Sequence, residues 1–224
     1  MHLIQQILFL FLSIISIFIF YKKISQIRRN ILLGREEDLN DNPSQRWKNL
    51  LLLAFGQKKM FRNPLVAIMH FFVYAGFIII NIEVLEIVLD GITGKHRLFA
   101  APLGGLYTFL INAFEVLALT VLVARSDANY ILITEIVLMS LFLLLNASDT
   151  LLQARAVEHY AAHPTGNFII SQYLHPLING IGNNGLVIIE RGSWWLHIVG
   201  IFAFLNYLPY SKHLHIILAF PNAY

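Results

Sequence analysis

Three histidines crowd the last stretch of the chain, SWWLHIVGIFAFLNYLPYSKHLHIILAFPNAY, at positions 197, 213 and 215. On one continuous helix each residue turns ~100°, so the 18 residues from His197 to His215 make roughly five turns and separate two same-face imidazoles by roughly 27 Å. His213 then falls about 160° away. A neutral imidazole is a strong iron ligand. Two same-face histidines near opposite edges of a bilayer are what one helix needs to ligate two stacked haems. His70 lies six residues into another apolar stretch and is level with His215, so a bis-histidine haem fits between them; otherwise His70 is a buried polar residue bonded to a neighbouring helix. His197 has no such partner, because Ile80 stands ten residues beyond His70. Its second ligand falls among loop residues, first His96 in GKHR, then His159, His163, His175 or His2. Against this, His96 beside Lys95 and Arg97 also reads as a solvated loop histidine.

Carboxylates form a second constellation. Glu83 and Glu86 lie one helical turn apart, and Glu115 and Glu135 sit inside later apolar runs. A buried carboxyl accepts a proton, as oxidation of a quinol requires. Glu83, Glu86 and Arg97 therefore make a candidate quinone site. Glu86 with Asp90, Lys95 and Arg97 equally makes an interfacial ion-pair set, and Glu115 reads as an interhelical hydrogen-bond partner.

The elements that position these residues are membrane helices. Of 224 residues, 57% are hydrophobic and only 13% charged, with a mean hydropathy of +0.65; such a chain is an all-α integral membrane protein. There is no cysteine, which excludes disulfides, thiolate-held iron–sulfur clusters and covalent haem within the chain. A net charge of +3 does not indicate nucleic acid, because the basic residues flank apolar runs.

Five spans are expected, at about 3–21, 64–89, 103–124, 130–152 and 193–218. The first lacks a cleavage site and reads as an uncleaved anchor. Arg46–Met60 reads as a helix on the membrane surface or packed on the bundle, and Gln153–Gly192 as too polar to span. With the N-terminus outside, twelve Lys/Arg fall on the inner side and four on the outer, so the N-terminus is expected outside and the C-terminus in the cytoplasm of a bacterial inner membrane.

Five spans, a second-span histidine and a fifth-span pair 18 apart resemble the gamma-subunit (cytochrome b) domain of respiratory nitrate reductase. The tail quoted above, with GKHRLFAAPLGGLY and ASDTLLQARAVEHY, is similar to one offshoot, the membrane domain of bacterial heterodisulfide-reductase-like iron–sulfur oxidoreductases. The resemblance implies haem b, one or two, with His70 and His215 on the cytoplasmic haem and His197 on the outer one. Ile80 departs from the family at the other second-span ligand position. It further implies menaquinone as the membrane substrate and a cytoplasmic iron–sulfur domain after residue 224 or on a separate subunit. The loop 125–129 is shorter than such proteins usually carry. A haem-free transporter or scaffold is the alternative; internal repeats, which a transporter would more often show, are absent from the sequence.

Overall fold

The computed structural model describes the chain except residues 1–2, 35–41, 56–63, 124–128, 212–213, 215–217 and 219–224. Side chains are also outside the description at 54–55, 65–70, 72–74, 77, 120–123 and 129–132. His2, His213 and His215 thus lie outside the described residues, and His70 is placed by its backbone alone.

The described residues are helical and form no strand. The long helices are α1 (Leu3–Ile31), α3 (Pro64–Thr93), α5 (Gly105–Val123), α6 (Asn129–Ala154) and α9 (Asn183–Tyr207). Short ones are α2 (Pro43–Asn49), which runs on as a π-helical turn over Leu50–Phe55, α4 (Ala100–Leu103), α7 (Glu158–Ala161) and α8 (His175–Ile178). Three stretches are long and apolar enough to cross a bilayer, Leu3–Ile31, Ile133–Ala154 and Asn183–Tyr210, which points to membrane association. The α1 helix turns Ile4, Phe11, Ile14 and Phe18 outward, all more than half exposed. An apolar face of that extent suits lipid rather than water.

Several helices differ in length from the sequence expectation. The α1 helix continues past Tyr21 through Lys22, Lys23, Arg28 and Arg29, since a helix does not stop where the bilayer does. The expected surface helix begins at Pro43, which takes the first helical position where its missing N–H costs nothing. Most consequential is α9, which starts ten residues before Ser193 and ends at Tyr207. Leu208–Tyr210 then forms a 3₁₀ turn and Ser211 is extended (φ −98°, ψ 169°). Pro209 supplies no backbone N–H and crowds the preceding turn. The helical phase therefore does not run unbroken from His197 to His215, and the 18-residue spacing alone does not put them on one face.

The chain divides into two compact units. In the unit formed by Ser13–Ala75 and Ala203–Tyr224, Asn206 Nδ2 donates to Ser16 Oγ at 2.8 Å and the Lys23 ammonium lies 4.4 Å from the Tyr210 ring centroid. The unit formed by Met1–Leu12 and Gly76–Phe202 holds the described candidate site. Its core joins α5 to α6 through Phe114 and Phe142, packed edge to face at 4.5 Å, with Tyr107, Ile111, Met139 and Phe168 around them. A second cluster sets Tyr160, Ile178 and Leu186 against the end of α6. In a third, Phe9 of α1 is wedged with Ile87, Leu145, Trp194 and Ile198.

Candidate functional site

At the end of α3 the chain folds inward. The sequence GKHRLF leaves Lys95 exposed but buries His96 and Arg97. Arg97 takes a left-handed backbone conformation (φ 52°), unusual for a residue with a Cβ and held here by its contacts. Its backbone N–H and that of Leu98 donate to the two carboxylate oxygens of Asp90, at 2.9 and 3.1 Å. This fixes the turn and aims the guanidinium at α5 and α6. Arg97 Nε donates to Asp149 at 2.9 Å, one terminal nitrogen to the Tyr107 hydroxyl at 2.9 Å, and the other to Asn146 Oδ1 at 2.6 Å. The planar fork of donors thus binds three acceptors on two helices, α5 and α6. Tyr107 passes its hydroxyl hydrogen to Glu86 at 2.8 Å, and Glu86 also accepts from the Phe99 N–H.

The polar set continues in two directions. Asn146 Nδ2 donates to Glu115 at 3.2 Å, and the other Glu115 oxygen accepts from the N–H groups of Ile170 and Ser171 at the start of the 3₁₀ turn Ser171–Leu174. On the other side, Asp149 lies 3.1 Å from His96 Nε2, and Arg191 donates to His96 Nδ1 at 3.3 Å. Because arginine only donates, Nδ1 accepts and Nε2 carries the hydrogen. Arg191 pairs with Glu190, which also accepts from the Tyr160 hydroxyl. Both nitrogens of His96 are therefore occupied, so iron ligation there requires it to give up Asp149 or Arg191. The solvated-loop alternative for His96 does not hold either.

Around His96 lie the rings of His159 at 5.3 Å, Tyr160 at 5.2 Å and His163 at 6.2 Å. Burial, then the neighbouring His96 and Arg191, hold His159 below the usual histidine range. His163 is lowered by burial and then by His96. Burial, with Glu190 next, raises the Tyr160 phenol. His175, another loop candidate, is within 2.9 Å of Thr150 Oγ1.

Glu83 stands apart from this web. It is buried, 4% exposed, and no side chain or backbone group among the described residues hydrogen-bonds it. Two small cavities of about 10 Å³ meet at it, each with room for about one water. One is an apolar crevice lined by Ile79, Ile82, Glu86, Tyr107, Leu110 and Phe114; the other is lined by Glu86, Asp90, His96, Arg97 and Glu190.

His197 lies on α9, 3% exposed, with its ring 6.3 Å from Phe142. Its Nδ1 is 3.0 Å from the backbone oxygen of Leu138. A carbonyl only accepts, so Nδ1 carries the hydrogen and Nε2 presents its lone pair. Histidines that bind metal are commonly oriented this way, the second nitrogen donating to a carbonyl. The sequence allows the contact because Gly200 is one turn on: a Cβ there would meet Leu138 Cδ2 at 2.5 Å. Among the described residues no three His, Asp or Glu side chains are arranged to hold a bare metal ion. Haem would ask the chain for fewer ligands than a bare ion, and a single histidine such as His197 could supply one.

The structure thus brings Glu83, Glu86, Arg97 and His96 into one buried region and places His197 on the same unit. It adds Tyr107, Asn146, Asp149, Glu190, Arg191 and Tyr160, which the sequence reading did not assign to a site. Asn146 and Asp149, one turn apart at the end of an apolar helix, were the available signal.

No protein-family model matches the chain, and no solved structure matches it. Among curated proteins, the chain is distantly similar to the probable iron-sulfur-binding oxidoreductase FadF of Bacillus subtilis (strain 168), at 23% identity over 236 residues. The match takes in 97% of this chain and 32% of that protein, so the chain spans about a third of its relative's length.

Proposed function

We propose that the chain is a five-span haem b membrane anchor that moves electrons between menaquinone and a cytoplasmic iron–sulfur oxidoreductase module. The observation that carries this reading is His197, whose Nδ1–H is tied to the Leu138 carbonyl, leaving Nε2 unprotonated, as holding haem iron would require. The similarity to an iron-sulfur-binding oxidoreductase supports it from another side. A chain without cysteine cannot hold a thiolate-bound cluster, so shared iron–sulfur chemistry must be reached by passing electrons to a partner domain or subunit.

When bound, haem b supplies one-electron transfer. His197 would hold the outer haem, and His70 with His215, on the family resemblance, the cytoplasmic one. His96 serves as second outer ligand only by leaving its present partners, so the proposal assigns it to the buried polar set. The chain's own residues do the rest. Leu138 fixes the His197 tautomer, and the apolar packing of Phe142 and Ile198 keeps water from it. Glu83, Glu86 and Tyr107 line the small apolar crevice between α3 and α5, with Arg97 donating to Tyr107, and a quinone ring at its mouth would find polar groups along one edge. The N-terminus is placed outside and the C-terminus in the cytoplasm of a bacterial inner membrane.

The test is an optical spectrum of protein purified from membranes without haem stripping. A reducible b-type signal is expected, with haem content lowered in His197→Ala. No b-type signal would overturn the proposal in favour of a haem-free transporter or scaffold.

A further inference from the structure

Resting on the quinone-site reading above, we infer that Glu83 is a proton carrier, a neutral buried acid that passes protons between the two small cavities it lines. The assignment starts from an imbalance. Six buried carboxyl groups, Glu83, Glu86, Asp90, Glu115, Asp149 and Glu190, share this region with two guanidinium groups, Arg97 and Arg191. Burying an unpaired charge is costly, so the set must retain protons. Hydrogen bonding identifies where. Asp149 faces Arg97, Glu190 faces Arg191, Asp90 and Glu115 each accept two or more N–H groups, and Glu86 accepts from Phe99 N–H and Tyr107. Among the described residues Glu83 accepts no hydrogen bond, so an ionised Glu83 would be the one carboxylate of the set held only by the more distant charge of Arg97.

Its position gives that proton a use. Glu83 alone with Glu86 lines both cavities, and Glu86 has both oxygens engaged. A hydroquinone is too large for the crevice; seated at its mouth, it would present an O–H to the Glu83 carboxyl. As the quinol O–H breaks, its electron leaves for the one-electron acceptor of the proposed function and one Glu83 oxygen gains the hydrogen, while the other releases its own to a water in the second cavity. Glu83 ends as it began, and one proton has moved from the crevice to the cavity beside Asp90, His96 and Arg97. The same two steps reversed serve quinone reduction. The sequence offers Glu83 and Glu86 alike; the bonding favours Glu83 and leaves Glu86 to position Tyr107 and, through it, Arg97.

The experiment uses the full chain in lipid nanodiscs with a short-tailed menaquinol. At neutral pH the infrared spectrum of the wild type should show a protonated-carboxyl band that shifts in D₂O. Glu83→Gln should remove it, and Glu83→Asp should keep it. Quinol-driven haem reduction should slow about a hundredfold in Glu83→Gln, with partial rescue in Glu83→Asp, while reduction by dithionite stays at the wild-type rate. A band unaffected by Glu83→Gln overturns the neutral acid, and a lost band with unchanged quinol kinetics overturns the carrier. If the wild type fails to react with quinol at all, the quinone reading falls instead, and the infrared comparison still decides whether Glu83 holds the proton.

Discussion

Arg97 is satisfied by residues far apart in sequence, and removing one of them exposes what the rest are holding. Replacing Asp149 with alanine leaves a buried guanidinium facing no carboxylate. The expected loss is about 3–5 kcal/mol, read by denaturant titration in mixed micelles; Asp149→Asn, which keeps an acceptor, should lose less. Arg97→Lys should also destabilise, because an ammonium cannot reach Asp149, Tyr107 and Asn146 together from one plane. The histidines above this site set a pH dependence. His159 and His163 are held below the ordinary histidine value of 6.5, mainly by burial, so the unfolded chain binds their protons more readily than the folded one. Their contribution is complete above about pH 6.5 and is lost as pH falls below it. The groups facing them, His96, Lys95, Arg191, Asp149 and Glu190, stay in place in the test. The thermal midpoint should be flat above that pH and drop below it, and the double variant His159→Gln/His163→Gln should flatten the drop.

The part of α1 that belongs to the first unit packs through Phe9, tilted against Trp194 at 5.7 Å and Phe202 at 6.0 Å, and through Gln6, which donates to the Ile92 carbonyl. Gly91 on α3 makes room for the Phe9 ring, since a Cβ there would come within 2.6 Å of it. In an ordinary helix Gly→Ala gains about 1 kcal/mol. Here the ring is fully buried and has nowhere to turn, so Gly91→Ala should cost about 1–3 kcal/mol instead. A raised midpoint would show that α1 moves aside without loss. The existence of the apolar helices was legible from composition alone, and so was the bond from Glu115 to another helix, because a carboxylate inside an apolar run has few other fates. Helix ends were less so. The start of α9 at Asn183 depends on the burial of Glu190 against Arg191 and Tyr160, a tertiary fact, and its stop at Tyr207 required weighing Pro209 above eighteen residues of apolar continuity. The inward turn of GKHRLF was legible only in part: Asp90 and Arg97 could be set together from the sequence, but Asp149, 52 residues on, could not.

At the scale of the molecule, three described helices are suited to a bilayer, and the orientation proposed for them is testable through the absence of cysteine. Each introduced thiol is the sole one in the chain. Lys95→Cys, exposed at the end of the polar set, should react with a membrane-impermeant maleimide in intact cells. Lys23→Cys should react only after permeabilisation. The reverse pattern would place the N-terminus inside.

The long sequence separations around Arg97 carry a consequence for how the protein is made. Tyr107, 10 residues away, is synthesised soon after Arg97, but Asn146 and Asp149 lie 49 and 52 residues later and the Arg191 that closes on His96 lies 95 residues beyond it. At about 5–20 residues per second, the ribosome leaves this arginine without its carboxylate for roughly 3–10 s. During that interval it has only Tyr107, water and lipid headgroups, and GKHRLF must remain at the surface. The buried polar set is therefore a late latch: it shuts only after α6 and then α9 have been inserted, and a nascent chain stopped before residue 146 should still present Arg97 to an added protease.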